Sequence, residues 1–307
     1  MDSYLAQRKL PMSKICRIQF IAILVVTALT GAPAVSAETI AIPFELGKDQ
    51  RIYAEGTINQ SRPLRFLVDT GADGMAVSLA TRDLAGMKID DQSENTGADG
   101  TTLVDYSTKN RVALGGASRT LGAAVIDYQN RPFDAVLGWK FFEGRVVEID
   151  YDKMTLFVHG SLPSVVGYTR MKTRWIDNTP AIEVTLQTEG SRLQAWLSLD
   201  TGNNGTIDLS YAYSSRHNLK DVLTQKVGTS QFSGSAGKKI RSVDVRAPAV
   251  ELQSLRLDQP KVSFTIDEDG SSGDGTIGSE VLRNFNILLD TNTGDVYLRP
   301  NGHLGSK

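Results

Sequence analysis

The sequence predicts an all-β chain folded as two similar lobes, and three observations carry that reading. Apolar residues alternate in short runs, with little recurrence at helical spacing. Turn-forming residues punctuate those runs, with 28 glycines among 307 residues. Three landmarks of the first half return in the same order in the second. Asp69-Thr70-Gly71-Ala72 returns as Asp200-Thr201-Gly202-Asn203, each copy preceded by a mostly apolar run. Asp134-Ala135-Val136-Leu137-Gly138 returns as Asp274-Gly275-Thr276-Ile277-Gly278, and Asp150 as Asp290. The first pair is 131 residues apart and the other two are each 140 apart. The second half has therefore gained nine residues between motifs, where loops tolerate insertion. Order, spacing and residue type together predict an internal duplication.

The elements follow in order. Ile40, Ile42 and Phe44 alternate, so residues 38–46 read as a strand, and residues 51–58 as a second. The turn residues at 59–63 lead to the strand at 64–68, which ends on Asp69. Residues 79–87 read as a short helix. Thr96-Gly97-Ala98-Asp99-Gly100 reads as a hairpin turn, with strands at 101–106, 112–114 and 123–126 beyond it. Strands at 145–150 and 154–159 close the half. The pattern then restarts, with strands at 181–186 and 193–199, the second ending on Asp200. Ser233-Gly234-Ser235-Ala236-Gly237 reads as a second hairpin tip, and strands at 286–290 and 295–298 match the end of the first half.

The N-terminus reads as a signal peptide over residues 1–37. Arg8, Lys9, Lys14 and Arg17 form a basic region, residues 20–29 are largely apolar, and Val35-Ser36-Ala37 offers a small-residue cleavage site. The apolar core is too short to read as a mature membrane span. This predicts export, periplasmic or secreted, with no membrane association after cleavage. The remaining chain divides into lobes at 38–160 and 161–307. Its only cysteine, Cys16, falls in the segment to be removed, so no disulfide, thiol nucleophile or cysteine metal site is expected. The net charge of -2 would become -5 after cleavage, and neither value recommends nucleic acid as a partner. No long pro-segment is expected between Ala37 and the first strand.

An apolar strand that delivers a carboxylate to Asp-Thr-Gly, followed by an apolar-apolar-Gly element, resembles the retropepsin-like aspartic proteases. The resemblance covers both halves, through Val136-Leu137-Gly138 and Thr276-Ile277-Gly278. It implies two β-barrel lobes of acid protease type, arranged in one chain as in pepsin. It also implies that Asp69 and Asp200 form an intramolecular dyad holding the attacking water, one as base and the other as acid. Like charges about 3 Å apart do not both ionise cheaply, and the aspartic protease pair is the standing example of such proton sharing. Thr70 and Thr201 would brace the two loops across the lobe junction. Gly71 and Gly202 would let backbone N–H groups approach the carboxylates. Gly97, Gly100, Gly234 and Gly237 mark two hairpins that would close as flaps over an extended peptide. Tyr106 fits either a flap aromatic or cross-strand packing.

Ala72 follows the family pattern after Asp-Thr-Gly and Asn203 does not. Neither half places a hydroxyl there to stabilise its ionised carboxylate, which predicts activity at mildly acidic to neutral pH. The function expected is an aspartic endopeptidase, working as a monomer on peptide or protein substrates. The alternative is a non-catalytic periplasmic peptide-binding module with a degenerate protease fold, and Asn203 is the feature that favours it. Asp134 and Asp274 read as loop hydrogen-bonders, and Asp150 and Asp290 as structural. The acidic run Asp267-Glu268-Asp269-Gly270 reads as a solvated turn. His159, His217 and His303 lack ligand spacing, so no metal or cofactor is expected.

Overall fold

The structure, a computed structural model, describes residues 38–128, 131–271 and 273–303. The segment read as a signal peptide lies outside the described residues. The chain is mostly β-strand with a few short helices, as the alternation of apolar residues predicts. In the first half the strands are β1 (Thr39–Leu46), β2 (Ile52–Ile58), β3 (Leu64–Val68), β4 (Met75–Val77), β5 (Asp91–Gly97), β6 (Gly100–Leu114), β7 (Ala117–Val125), β8 (Ala135–Leu137), β9 (Val146–Asp150) and β10 (Thr155–His159). Those following are β11 (Thr169–Arg170), β12 (Thr173–Ile176), β13 (Thr179–Gln187), β14 (Arg192–Asp200), β15 (Ile207–Leu209), β16 (Lys226–Phe232), β17 (Ile240–Arg246), β18 (Ala249–Leu252), β19 (Leu255–Asp258), β20 (Lys261–Thr265), β21 (Gly275–Gly278), β22 (Phe285–Asp290) and β23 (Val296–Pro300).

The same pairings recur around the two Asp-Thr-Gly strands. β3 runs parallel to β8, β8 antiparallel to β4, and β4 parallel to β7, which pairs with the long hairpin strand β6. In the second half β14 runs parallel to β21, β21 antiparallel to β15, and β15 parallel to β20, which pairs with β17. Each of these strands turns one face into a common apolar core. Phe66, Val68, Val77, Leu137, Leu197, Leu199, Leu209 and Ile277 are all buried there.

A further run of strands, in the order β1-β10-β9-β22-β23-β11, joins residues from both ends of the chain. At its centre β9 meets β22 antiparallel, with Ile287 opposite Ile149, Leu288 opposite Glu148 and Leu289 opposite Val147. Shifting each residue by the 140-residue repeat maps this ladder onto itself, as a two-fold arrangement requires. Val147, Ile149, Ile287 and Leu289 then lie beside Asp69 and Thr70 of the first turn and Leu199 before the second. They leave a void of about 20 Å³, walled also by Val68, Leu137 and Leu199.

Several elements differ from the sequence expectation. The helix expected over 79–87 ends at Leu84, because Gly86 turns left-handed at φ 58. The strands expected at 101–106 and 112–114 are one strand, β6, interrupted by an irregularity between Ser107 and Asn110. The buried Asn110 amide fills that irregularity by bonding the Ser107 carbonyl at 3.2 Å. The sequence also left unassigned three short helices, Tyr211–Arg216, Leu219–Val222 and Ser279–Leu282. The first begins at Ser210, whose hydroxyl accepts from Tyr213 N at 3.3 Å, as Ser78 accepts from Thr81 N at 3.1 Å in the first half.

Asp134 and Asp274 do serve as loop hydrogen-bonders: Asp134 accepts from Arg65 N at 2.8 Å and Asp274 from Trp196 N at 2.9 Å. Asp150 is buried and holds the following turn through Lys153 N at 3.0 Å. Tyr151, buried beside Phe44, carries a hydroxyl without a hydrogen-bond partner among the described residues. An unpaired buried hydroxyl is destabilising. Tyr151→Phe is therefore expected to raise the unfolding free energy by about 1 kcal/mol in denaturant titration. A loss of stability would mean that the hydroxyl has a partner after all.

Candidate active site

Both Asp-Thr-Gly turns begin where a strand held on two sides runs out. Asp69 N bonds Leu137 O at 3.0 Å, extending the β3–β8 ladder by one residue, and Asp200 lies opposite Gly278 at the end of β14. Each turn is then fixed from its own half by the downstream glycine element. Gly138 N reaches Gly74 O at 2.7 Å and Trp139 N reaches Ala72 O at 3.1 Å. In the second half Gly278 N reaches Thr206 O at 2.6 Å and Ser279 N reaches Asn203 O at 2.8 Å. By hydrogen bonding, Thr206 and not Gly205 is thus the counterpart of Gly74, and the second loop is one residue longer. Asn203 absorbs the extra residue, its Oδ1 accepting Gly205 N at 2.7 Å.

The two turns meet through a reciprocal brace. Thr70 N donates to Thr201 Oγ1 at 3.1 Å, and Thr201 N to Thr70 Oγ1 at 3.1 Å. Each hydroxyl passes its own proton to the opposite strand, Thr70 to Leu199 O and Thr201 to Val68 O, both at 2.7 Å. Within each turn the carboxylate accepts a backbone N–H two residues on, from Gly71 at 2.9 Å and Gly202 at 3.0 Å. Asp200 Oδ1 also accepts Asn203 N at 2.9 Å. A Cβ added to Gly71 would lie 2.5 Å from the carboxyl carbon of Asp200, and one added to Gly202 would overlap the carboxyl group of Asp69. Glycine is required at both places because each carboxyl sits against the other turn's backbone.

The carboxyls of Asp69 and Asp200 are close enough for one hydrogen bond between them when one carries a proton. Protein surrounds them closely, while part of each residue's surface remains open to solvent. Burial pushes both carboxyls above the ordinary carboxylate range. Asp200 moves well up because the Asp69 charge bears on it as well. For Asp69 the push is opposed by the bond to Asp200, the Gly71 and Ala72 N–H groups and the Arg51 guanidinium. The arrangement favours one shared proton, and the pair titrates as a unit.

Two neighbours of the pair carry no mark in the sequence. Arg51, paired with Asp49 at 2.6 Å, crosses the junction and donates to Gly202 O at 3.2 Å. Tyr128 packs edge-on against Phe133, and its hydroxyl proton is held tightly by burial and by the Asp69 charge. Both act across long sequence separations, so no local pattern announces them. Among the described residues no three His, Cys, Asp or Glu side chains gather as a metal site.

The two glycine-bearing hairpins meet at their tips. Asp99, 2% exposed, accepts Ala236 N at 3.0 Å and Lys238 N at 2.8 Å. Asn95 Nδ2 donates to Ser235 Oγ at 2.7 Å. Gly97 and Gly100 bound the first tip, while Gly234 and Gly237 lie in the second. Tyr106 sits lower on β6, opposite Ala124 with its ring against Gly122, so it packs across strands. The run at 267–270, expected to be a solvated turn, joins the tips instead: Gly270 N reaches Ala98 O at 3.2 Å, and Lys238 Nζ reaches Glu268 O at 2.9 Å.

Residues 54–141 match the family model for aspartyl protease. The matched span holds the first Asp-Thr-Gly and Val136-Leu137-Gly138, and it supports an aspartic hydrolase. It ends before the second half begins. A comparison with curated proteins finds no match.

The raised proton affinity of Asp200 has a consequence for stability. The folded chain holds that proton more tightly than the unfolded chain, so stability falls as pH rises from the unfolded carboxyl's value through the folded one. An asparagine in its place would not titrate. The melting temperature of Asp200→Asn, relative to the parent, is expected to climb between about pH 3 and about pH 7. A flat or shrinking difference in calorimetry would show that the carboxyl carries no such strain.

Proposed function

We propose that the chain is an exported aspartic endopeptidase, built by internal duplication as two retropepsin-like lobes at 38–160 and 161–307, with Asp69 and Asp200 as its catalytic dyad. The observation that carries this reading is the reciprocal Thr70/Thr201 brace around two carboxyls in hydrogen-bond contact. The aspartyl protease match over residues 54–141, the repeated pairings and the self-matching β9–β22 ladder support it. The signal-like segment at 1–37 supports export. Both carboxyls come from one chain, so the enzyme works as a monomer.

In this mechanism water lies between the carboxyls. The ionised one takes a proton from it as it attacks the peptide carbonyl, and the protonated one supplies the proton that the departing amine needs. Both carboxyls are raised and the pair holds one proton between them, so one serves as base while the other serves as acid. The turns supply N–H groups that keep one carboxylate ionised while the apolar sheet beneath keeps water out. Both hairpins part to admit an extended peptide and close again over it.

Asn203 does not weigh against catalysis. Its N–H serves the Asp200 carboxyl, and its side chain faces its own loop, donating to Asp208 Oδ2 at 2.6 Å. The residue that breaks the family pattern thus builds the longer turn.

Asp69→Asn and Asp200→Asn should each lower kcat/KM on a mixed peptide library by at least about a hundredfold. Retained cleavage in either variant would break the dyad. The parent should give a bell-shaped pH profile whose alkaline limb lies above the ordinary carboxylate range, since both carboxyls are raised. A limb at or below the value of a free aspartate, about 3.9, would contradict the burial argument.

A further inference from the structure

Residues two apart on a strand share a face. Leu67 therefore lies on the face that carries Asp69, and Ser198 on the face that carries Asp200. From these two positions the sheet registers define a row of side chains across each half. In the first half Leu67 is opposite Val136, Val136 opposite Ala76, Ala76 opposite Ala124, and Ala124 opposite Tyr106. In the second half Ser198 is opposite Thr276, Thr276 opposite Asp208, Asp208 opposite Ser263, and Ser263 opposite Asp244.

Every apolar or aromatic position of the first row is polar in the second. The first row belongs to one apolar cluster that also holds Tyr53, Phe133 and Tyr128 and reaches Ala72 beside the dyad. The second row is held by hydrogen bonds. Ser198 shares one with Thr179 at 3.3 Å, and Asn203 Nδ2 donates to Thr276 Oγ1 at 3.1 Å and to Asp208 Oδ2 at 2.6 Å. Ser263 Oγ donates to Asp244 Oδ1 at 2.7 Å, as does Ser230 Oγ at 2.8 Å. The opposite faces of the same strands are apolar in both halves, so the difference is confined to the face that carries the carboxyls.

The two walls make opposite demands on a side chain laid against them. Leu67, Val136, Ala76 and Ala124 are buried within their cluster, and its partly exposed members Ala72, Val104, Tyr106 and Tyr128 offer an apolar group a surface it satisfies by burial alone. Against the second it would strip water from hydroxyls and carboxylates and offer nothing in return. We propose that the enzyme's substrates are peptides with a large apolar side chain on the first half's flank of the scissile bond and a hydrogen-bond-donating side chain on the second half's flank, with Ser198, Thr276 and Asp208 selecting the donor. This deepens the endopeptidase reading and rests on it for the position of the scissile bond.

The test is a set of peptides with Leu on one flank of the bond and Lys, Gln or norleucine on the other, in both orders, with cleavage followed by mass spectrometry. In one order Lys or Gln should be cleaved at least tenfold faster than norleucine. Norleucine equal or better in both orders overturns the proposal. Ser198→Leu with Thr276→Val rebuilds the Leu67/Val136 pair on the second wall and should reduce that preference tenfold or more, while Leu-norleucine peptides gain. A folded, active variant that keeps the donor preference would also overturn it. Should the parent cleave nothing, anisotropy with the same labelled peptides on Asp200→Asn separates the two readings. Tighter binding of the Lys or Gln peptides would retain the wall assignment and remove the catalytic reading. Equal binding would remove the wall assignment as well.

Discussion

Everything near the two carboxyls depends on four hydrogen bonds made by Thr70 and Thr201. Each threonine gives and receives across the junction, so neither turn can move without stretching a bond in the other. Two carboxyl groups brought together inside protein repel each other and lose hydration, and neither term favours the folded state. The brace must hold against both. Threonine suits the task because one hydroxyl both accepts and donates. Its β-branched side chain also has few rotamers to lose. Serine would keep the hydrogen bonds and surrender part of the rigidity.

The remainder of the architecture serves that contact. Val147, Ile149, Ile287 and Leu289 form an apolar floor beside the first turn and the end of the strand that leads to the second. Gly138 and Gly278 approach the turns from the other side, where only a backbone fits beneath Ala72 and Asn203. Arg51 adds a positive charge near the pair, and Asp49 keeps that guanidinium oriented. These contributions come from distant parts of the chain. The site is therefore a property of the closed sheet system, and the local turn alone does not make it.

Much of this was legible in the sequence. The two Asp-Thr-Gly turns, their downstream glycine elements and the hairpin tips are written in residues whose backbone chemistry has few substitutes. What was not legible shares a physical cause. Arg51, Tyr128 and Asp99 act on partners more than fifty residues away, or through the field of a charge, and no periodicity encodes such contacts. The helix at Tyr211–Arg216 was missed because its signal is a serine cap on a six-residue segment, too short for a helical period to register. Asn203 misled for a related reason. Its meaning lies in a one-residue difference between loops, visible only once Thr206 and Gly74 are seen in the same hydrogen bond.

Two halves with the same pairings need not age in the same way. The face that builds the common core is apolar in both, because a polar group there would lose its hydration without a partner. On the face that carries the carboxyls the two halves satisfy their side chains differently, the first by apolar burial and the second by hydrogen bonds. There the first half has Leu67, Val136 and Ala76, while the second has Ser198, Thr276 and Asp208. Asn203 belongs to this second set, since its amide is what holds Asp208 and Thr276 together. The two like sets of pairings thus place the carboxyls of Asp69 and Asp200 between unlike surroundings, one apolar and one hydrogen-bonded.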